Sequence, residues 1–327
     1  MNDIQKVFVF LGQGTQYREM GYDLYKNNHV FRSSIEDSEI IIQKNLNRSL
    51  IEALYENTQK DFDDLLITHP AIVAVEIAMY KVLISLDITP DYVIGNSLGE
   101  FAAGVAGGIW DSSTAVEASI AQAKSIQKKG LIGLGSMIAV IDQEHTLDKN
   151  SFLDYNLYLA SNNFDGHYTV SGLNKDLEAF EYMLKDQSIS FIRLPVKVPF
   201  HSPLMKDSMH DFKQYLSTLE GINQYPTKKF ISGLHCSHID HIADNYFEQV
   251  VSQYTNFSKV VDYIESKGSF LYIDLGPSGT GSTFVKYNLP PASQGSKTFS
   301  IMSPFKNEGN RLIKLKEVLA SNDLQVC

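Results

Sequence analysis

The sequence predicts an α/β protein in two parts: a large domain on a parallel sheet and a small domain inserted into it. Three observations carry this. Short apolar runs at Val7–Leu11, Tyr92–Ile94, Phe230–Leu234 and Phe270–Leu275 read as buried strands, and each leads into a turn. The second run passes through Gly95-Asn96-Ser97-Leu98-Gly99 into a helix-like stretch, Glu100–Ala106, giving the strand–turn–helix context of a G-x-S-x-G elbow. Finally, residues 136–197 read as a compact unit of four strands and a helix behind a glycine cluster.

Bulk composition limits the function classes. The 327 residues suffice for a large core, and 43% hydrophobic with 20% charged residues is ordinary for a globular chain. A net charge of −10 without a basic stripe argues against a nucleic-acid partner, and an acidic partner would need a local basic patch. Cys236 and Cys327 are the only cysteines, which suits a reducing compartment. The first residues lack a basic n-region, Val7–Leu11 is too short for a signal core, and no later run reads as a membrane span. The expectation is a soluble cytoplasmic protein with no membrane partner.

In chain order, Val7–Leu11 runs into Gly12-Gln13-Gly14-Thr15-Gln16, a turn with backbone N–H groups free to face an oxyanion. A dinucleotide fingerprint fails here for want of a third glycine and a following acidic residue. Residues 18–64 read as polar helix. Thr68 is the expected cap of an apolar helix, Ile72–Leu86, with Pro70 near its first turn and His69 at its mouth. A lone histidine there fits a structural hydrogen bond as well as a binding role. At the elbow, the two glycines relieve crowding and the new helix directs its N–H groups at the serine, although an ordinary Gly-rich turn shares the pattern.

Trp110–Ser113 then starts a second helix, Thr114–Lys129, and Gly130–Gly135 ends it, lacking the Gly-Lys-Ser/Thr ending of a phosphate loop. This places the small domain at 132–197 and the large one at 1–131 and 198–327. Strands at 137–141, 158–160, 168–172 and 191–194 with a helix at 176–185 fit a ferredoxin-like insertion. The chain returns through Pro199-Phe200-His201, followed by a helix at Met205–Leu219. His201, between two prolines, is the best placed of nine histidines to serve Ser97 as a base. His235, His238 and His241 form a His-rich loop that reads as polar surface or as an opportunistic metal site, without a closed zinc pattern. Asn245–Ser266 and Leu312–Ala320 read as helices.

Five blocks together carry a family resemblance. Gly12-Gln13-Gly14-Thr15-Gln16, the elbow Gly95–Glu100, Asn163 with Val170-Ser171-Gly172, Pro199-Phe200-His201 and Ile273–Pro277 match, in order and spacing, blocks of the malonyl-CoA:acyl-carrier-protein transacylase family. That family includes the acyltransferase domains of polyketide and fatty-acid synthases. The resemblance implies an α/β-hydrolase-like large domain with a ferredoxin-like small domain and no cofactor or metal. It implies Ser97 as nucleophile, His201 as base and then acid, the N–H groups of Gln13 and Leu98 as oxyanion hole, the Gln253 carbonyl as the group orienting the histidine, and Asn163 as a lining residue.

The departures from the family pattern are informative. Malonyl-transferring members carry an arginine 25 positions after the nucleophile, to clamp the free carboxylate; here that position is Gln122. A register using Lys124 breaks the flanking match. Glutamine offers no charge-assisted fork, so the expectation is an acyl group without a carboxylate. Asn96 replaces the elbow histidine, His69 replaces a glutamine, and Phe200 is a candidate limit on pocket size. In this respect the chain is similar to the discrete acyltransferase-like acyl hydrolases of trans-acyltransferase polyketide synthases, which clear stalled acyl groups from carrier proteins. The competing readings are transfer of a neutral unit such as acetyl between coenzyme A or carrier proteins, a catalytically weak docking member, and an ordinary α/β-hydrolase esterase.

Overall fold

Residues 4–57, 62–148, 150–220, 222–290 and 295–321 are described by the computed structural model. Strand β1 (Lys6–Phe10) is followed by helices α1 (Tyr22–Asn27) and α2 (His29–Leu46), the long core helix α3 (Leu65–Ser85), strand β2 (Tyr92–Gly95), and helices α4 (Gly99–Ala106) and α5 (Ser112–Lys128). The small sheet is formed by β3 (Gly135–Ile141), β4 (Tyr158–Phe164), β5 (His167–Leu173), helix α6 (Asn174–Asp186) and β6 (Ser190–Arg193). The chain continues through α7 (His210–Thr218), β7 (Lys229–Ser232), β8 (Ser237–Ile239), α8 (Tyr246–Gln249), β9 (Thr255–Asn256), α9 (Phe257–Glu265), β10 (Leu271–Asp274), α10 (Thr280–Asn288), β11 (Lys297–Ser300) and α11 (Glu308–Ser321).

The large sheet has the order β11-β10-β1-β2-β7-β8, parallel except for the β7–β8 hairpin. Successive side chains on a strand face opposite ways. Phe8 and Phe10 accordingly join the core under α2–α5, while Val7 and Val9 join a second cluster with Phe257, Val260 and Val285 of α9 and α10. Burial on both faces explains why these strands are apolar runs rather than alternating ones. In such a sheet the open carboxyl ends of the strands are where sites form. The turns after β1, β2, β7 and β10 all emerge at that edge.

The small sheet has the order β6-β3-β5-β4-β9. Its first four strands pair antiparallel, and β9 adds to β4 in parallel. α6 covers it through Leu177, Phe180 and Leu184, packed on Ile138, Val140 and Val170. A single 3-10 turn, Ser151–Tyr155, joins β3 to β4, where the other half of the unit has a full helix.

Several local expectations need correction. α3 begins at Leu65, capped by the Asp64 side chain on the Leu66 N–H, so Pro70 lies inside the helix and His69 sits in its second turn rather than at its mouth. α3 is also long and apolar enough to cross a membrane, contrary to the reading that no run is. Most of it is buried by its neighbours, and apolarity on every side is what a central core helix requires. The expected helix Asn245–Ser266 is two short helices separated by β9, because Thr255 and Asn256 pair with Ser161 and Asn162 and the Asn256 side chain caps α9. The segment Met205–Leu219 enters as a 3-10 turn, Pro203–Met209, before α7. Cys236 is a half-buried free thiol, and Cys327 lies outside the described residues.

Candidate active site

The elbow is built by close backbone contact. β2 ends at Gly95, and the Asn96 N–H donates to the Phe10 carbonyl, 3.0 Å, tying the turn to the end of β1. A side chain at residue 99 would put its Cβ 2.3 Å from that same carbonyl oxygen, and one at residue 95 would meet the Glu100 Cα at 2.6 Å. Only glycine fits either position. Ser97, between them, is held at φ 56°, in the left-handed region that non-glycine residues rarely occupy. α4 starts two residues later, so the positive end of its dipole lies beside the serine.

His201 arrives from the opposite side on a loop that is equally fixed. Its backbone N–H donates to the Val251 carbonyl at 3.1 Å, the Ser202 hydroxyl donates to the Pro199 carbonyl at 2.6 Å, and His201 itself has φ 58°. Its Nε2 lies 2.7 Å from the Ser97 Oγ, and its Nδ1 lies 2.7 Å from the Gln253 main-chain oxygen. Burial pushes the imidazole down to about 4, against the opposing pull of the Gln253 carbonyl. The ring is therefore neutral at pH 7. A carbonyl only accepts, so Nδ1 carries the proton and Nε2 presents a lone pair to the Ser97 hydroxyl. A hydroxyl so placed can pass its proton to the ring as it attacks. The break in the expected helix at 245–266 is what brings the Gln253 carbonyl to the ring.

The Gly12-Gln13 turn closes the third side. Its entry is fixed by the Leu11 N–H donating to Glu76 Oε1 at 2.9 Å, and its exit by the Thr15 hydroxyl donating to the Gly12 carbonyl at 2.8 Å. The Gln13 side chain donates to the Thr68 hydroxyl at 3.0 Å. No described residue accepts a hydrogen bond from the backbone N–H of Gln13 or of Leu98, and both residues border the same cavity as Ser97.

That cavity has a volume of about 350 Å³ and lies between the carboxyl edge of the large sheet and the inner face of the small one. Asn96, Ser97, His69, Phe200 and His201 line one wall, and Met137, Asn163, His167 and Ile192 the other. Asn163 lies 3.0 Å from His167 Nδ1 through its amide nitrogen and accepts from the Ser161 hydroxyl at 3.2 Å. The rings of His69 and Phe200 lie with centroids 5.5 Å apart. Asn96 is buried with its side-chain oxygen unpartnered.

One residue stands differently from expectation. Gln122 does not line the cavity; it is fully buried beside His69, and neither of its amide atoms makes a hydrogen bond of good geometry. The α5 backbone sets it one layer back. Gln253 lies outside the lining and meets the site through its carbonyl, the group expected to orient the histidine. Among the described residues, no Lys, Arg, Asp or Glu side chain lines the cavity. Burial also pushes His69 down to about 3 and His167 below its ordinary value. The wall is uncharged at neutral pH.

Sequence reasoning missed the supports behind this surface. Glu76, fully buried in α3, holds the entry to the Gly12-Gln13 turn, and burial raises its carboxyl pKa well above the usual range. Glu100 accepts from the Gly233 N–H at 2.8 Å and from the Tyr246 hydroxyl at 2.7 Å, and burial raises it to about 8. An acid in an apolar helix was the available signal for Glu76. His235 and His241 face Tyr246 and Tyr225 respectively, and among the described residues no cluster of three or more His, Cys, Asp or Glu side chains could hold a metal ion.

Comparison with known proteins gives the family and the fold. Residues 7–266 match the family model described as the acyl transferase domain. The chain is similar to the polyketide biosynthesis acyltransferase homolog PksD of Bacillus subtilis, 35% identical over 92% of this chain and 93% of that protein. It is also similar to the homolog BaeD of Bacillus velezensis, 30% identical over 96% of this chain and 97% of that one. In fold it is similar to a loading acyltransferase from the avermectin modular polyketide synthase, with TM-score 0.85 and 22% identity, covering 96% of this chain and 99% of that structure. A family model matching most of the chain and two full-length relatives carry one conclusion: the protein belongs to the acyl transferase domain family and is an enzyme of acyl transfer.

Proposed function

We propose that the protein acts on thioesters of uncharged acyl groups, carried on the phosphopantetheine arm of an acyl-carrier protein in polyketide biosynthesis, and releases the acyl group to water. The observation that carries the acyl preference is the uncharged cavity wall around Ser97 and His201. A malonyl carboxylate buried there would lose its hydration without meeting a cation, which costs several kcal/mol. The names of the two Bacillus relatives support the pathway.

The mechanism has two half-reactions. Ser97 Oγ attacks the thioester carbonyl carbon while its proton passes to His201 Nε2. The carbonyl oxygen takes up negative charge facing the N–H groups of Gln13 and Leu98, at the start of α4. The intermediate collapses, the C–S bond breaks, and the imidazolium returns its proton to the departing thiol. Through both steps the Gln253 carbonyl holds Nδ1–H and so keeps the ring in register. Water then takes the place of the thiol and attacks the ester carbonyl as it loses a proton to Nε2; the C–Oγ bond breaks, the imidazolium returns that proton to Ser97 Oγ, and the acid leaves.

The relatives' designation as acyltransferases favours a second reading, in which a second carrier thiol or coenzyme A takes the place of water. Both readings share the Ser97 ester. Intact mass measurement after mixing with acetyl- or butyryl-carrier protein tests it. A mass increase equal to one acyl group, absent in Ser97→Ala, is the expected result; an increase retained in Ser97→Ala excludes the assignment.

A further inference from the structure

We propose that His69, backed by Gln122, forms a neutral hydrogen-bonding subsite for an uncharged oxygen on the acyl chain close to the thioester carbonyl, a β-hydroxyl being the fitting group. This rests on the proposed action on uncharged acyl thioesters and narrows it. The observation is a deficit of partners. His69 and Gln122 are fully buried side by side, and none of the two ring nitrogens and two amide heteroatoms makes a hydrogen bond of good geometry, the nearest approach being that of Gln122 to the ring. Buried polar groups in folded proteins are almost always satisfied, and those that are not call for a ligand or a water.

Counting donors and acceptors places the vacancy. A neutral imidazole has one N–H and one lone pair. Gln122 adjoins the ring and can occupy one of its nitrogens at most. The ring as a whole packs against Phe200, which offers no partner, and borders the cavity, the remaining source of one. Burial keeps the ring uncharged at neutral pH, so it does not substitute for the missing cation of a carboxylate clamp. A hydroxyl both donates and accepts, so it satisfies His69 in either tautomer.

Size limits where that hydroxyl sits. The cavity of about 350 Å³ also holds Ser97 and the incoming carbonyl at one end. Its volume equals roughly a dozen water molecules. Ser97 and His69 border this one small cavity, so an oxygen reaching His69 lies within a few bonds of the carbonyl.

The test compares kcat/KM for N-acetylcysteamine thioesters of butyrate, 3-hydroxybutyrate and malonate. The subsite predicts that the native chain prefers 3-hydroxybutyryl over butyryl by about tenfold, the worth of one hydrogen bond made to an otherwise unsatisfied group. In His69→Phe the ratio falls to about one; in His69→Gln, which keeps a donor and an acceptor, most of the preference remains. Equal rates for butyryl and 3-hydroxybutyryl in the native chain overturn the subsite while leaving the uncharged-acyl reading intact. Malonyl as the fastest substrate, or no turnover of any, overturns both. The native ratio decides the matter even where His69→Phe fails to fold, which thermal unfolding reveals.

Discussion

His201 Nδ1 lies 2.7 Å from the main-chain oxygen of Gln253, and this contact sets the chemistry of the whole site. A carboxylate in that place would stabilise an imidazolium by charge. A carbonyl contributes only a dipole, so the ring stays neutral in its buried position and works as a base with a low pKa. Turnover at limiting substrate is therefore expected to rise with pH along a limb near 4 and to be flat through neutrality. Stopped-flow acylation between pH 3.5 and 7.5 checks this; a limb near 6.5 would mean that the ring is not held as described.

The same burial has a consequence for stability. His201 and His69, at about 4 and 3 in the fold, return to about 6.5 in the unfolded chain. Below pH 6.5 the unfolded chain binds more protons, so stability falls as pH drops towards 4. Each ring contributes up to about 1.4 kcal/mol per pH unit in that window. Raised carboxyl groups such as Glu100 act in the opposite sense, so the difference between variants is the clean measure. Denaturant unfolding of His69→Gln at pH 7 and pH 5 is expected to show a smaller loss than the native chain, by roughly one proton's worth of slope.

Strain at the nucleophile gives a comparison free of the lost hydroxyl. Ser97→Gly and Ser97→Ala both remove the bond to His201, but only alanine keeps a Cβ at φ 56°. Glycine is expected to be the more stable by about 1 kcal/mol, the reverse of the usual order, read as a difference in Tm. Alanine equal to or above glycine would show that the elbow is unstrained.

Gly99→Ala tests the packing of the elbow against β1. The added methyl would sit 2.3 Å from the Phe10 carbonyl oxygen, and neither backbone can move without disturbing the sheet. A loss of more than about 2 kcal/mol is expected by denaturant unfolding, together with loss of acylation.

Gln122→Arg brings a cation to the layer behind His69. Arginine is longer than glutamine, and its fork suits a carboxylate. The ratio of malonyl to butyryl turnover is expected to rise by tenfold or more. An unchanged ratio would place the control of acyl charge elsewhere on the wall.

Much of this fold was legible because its strands are short, apolar and separated by glycine turns. Ser97, His201 and the Gly12-Gln13 turn stand out because close backbone contacts and exposed N–H groups demand particular residues. The rest was hidden for identifiable reasons. β9 is two residues long and exists through its pairing with Ser161 and Asn162, which no local pattern announces. Pro70 was expected at a first turn, the commonest place for it. The start of α3 is instead fixed by the Asp64 cap and by a face wholly buried in the core. Gln122 was correctly placed on α5, but sequence spacing says nothing of depth, and the ring of His69 borders the cavity where Gln122 does not.

The central claim is release of an uncharged acyl group through a Ser97 ester to water. Its most direct test is intact mass spectrometry of carrier proteins loaded with acetyl, a longer neutral acyl or malonyl, incubated with the enzyme in the presence of empty holo-carrier. Loss of the neutral acyl groups, with the holo-carrier unmodified and malonyl retained, is the predicted result. Appearance of the acyl group on the holo-carrier would make the enzyme a transferase, and preferential loss of malonyl would contradict the uncharged site.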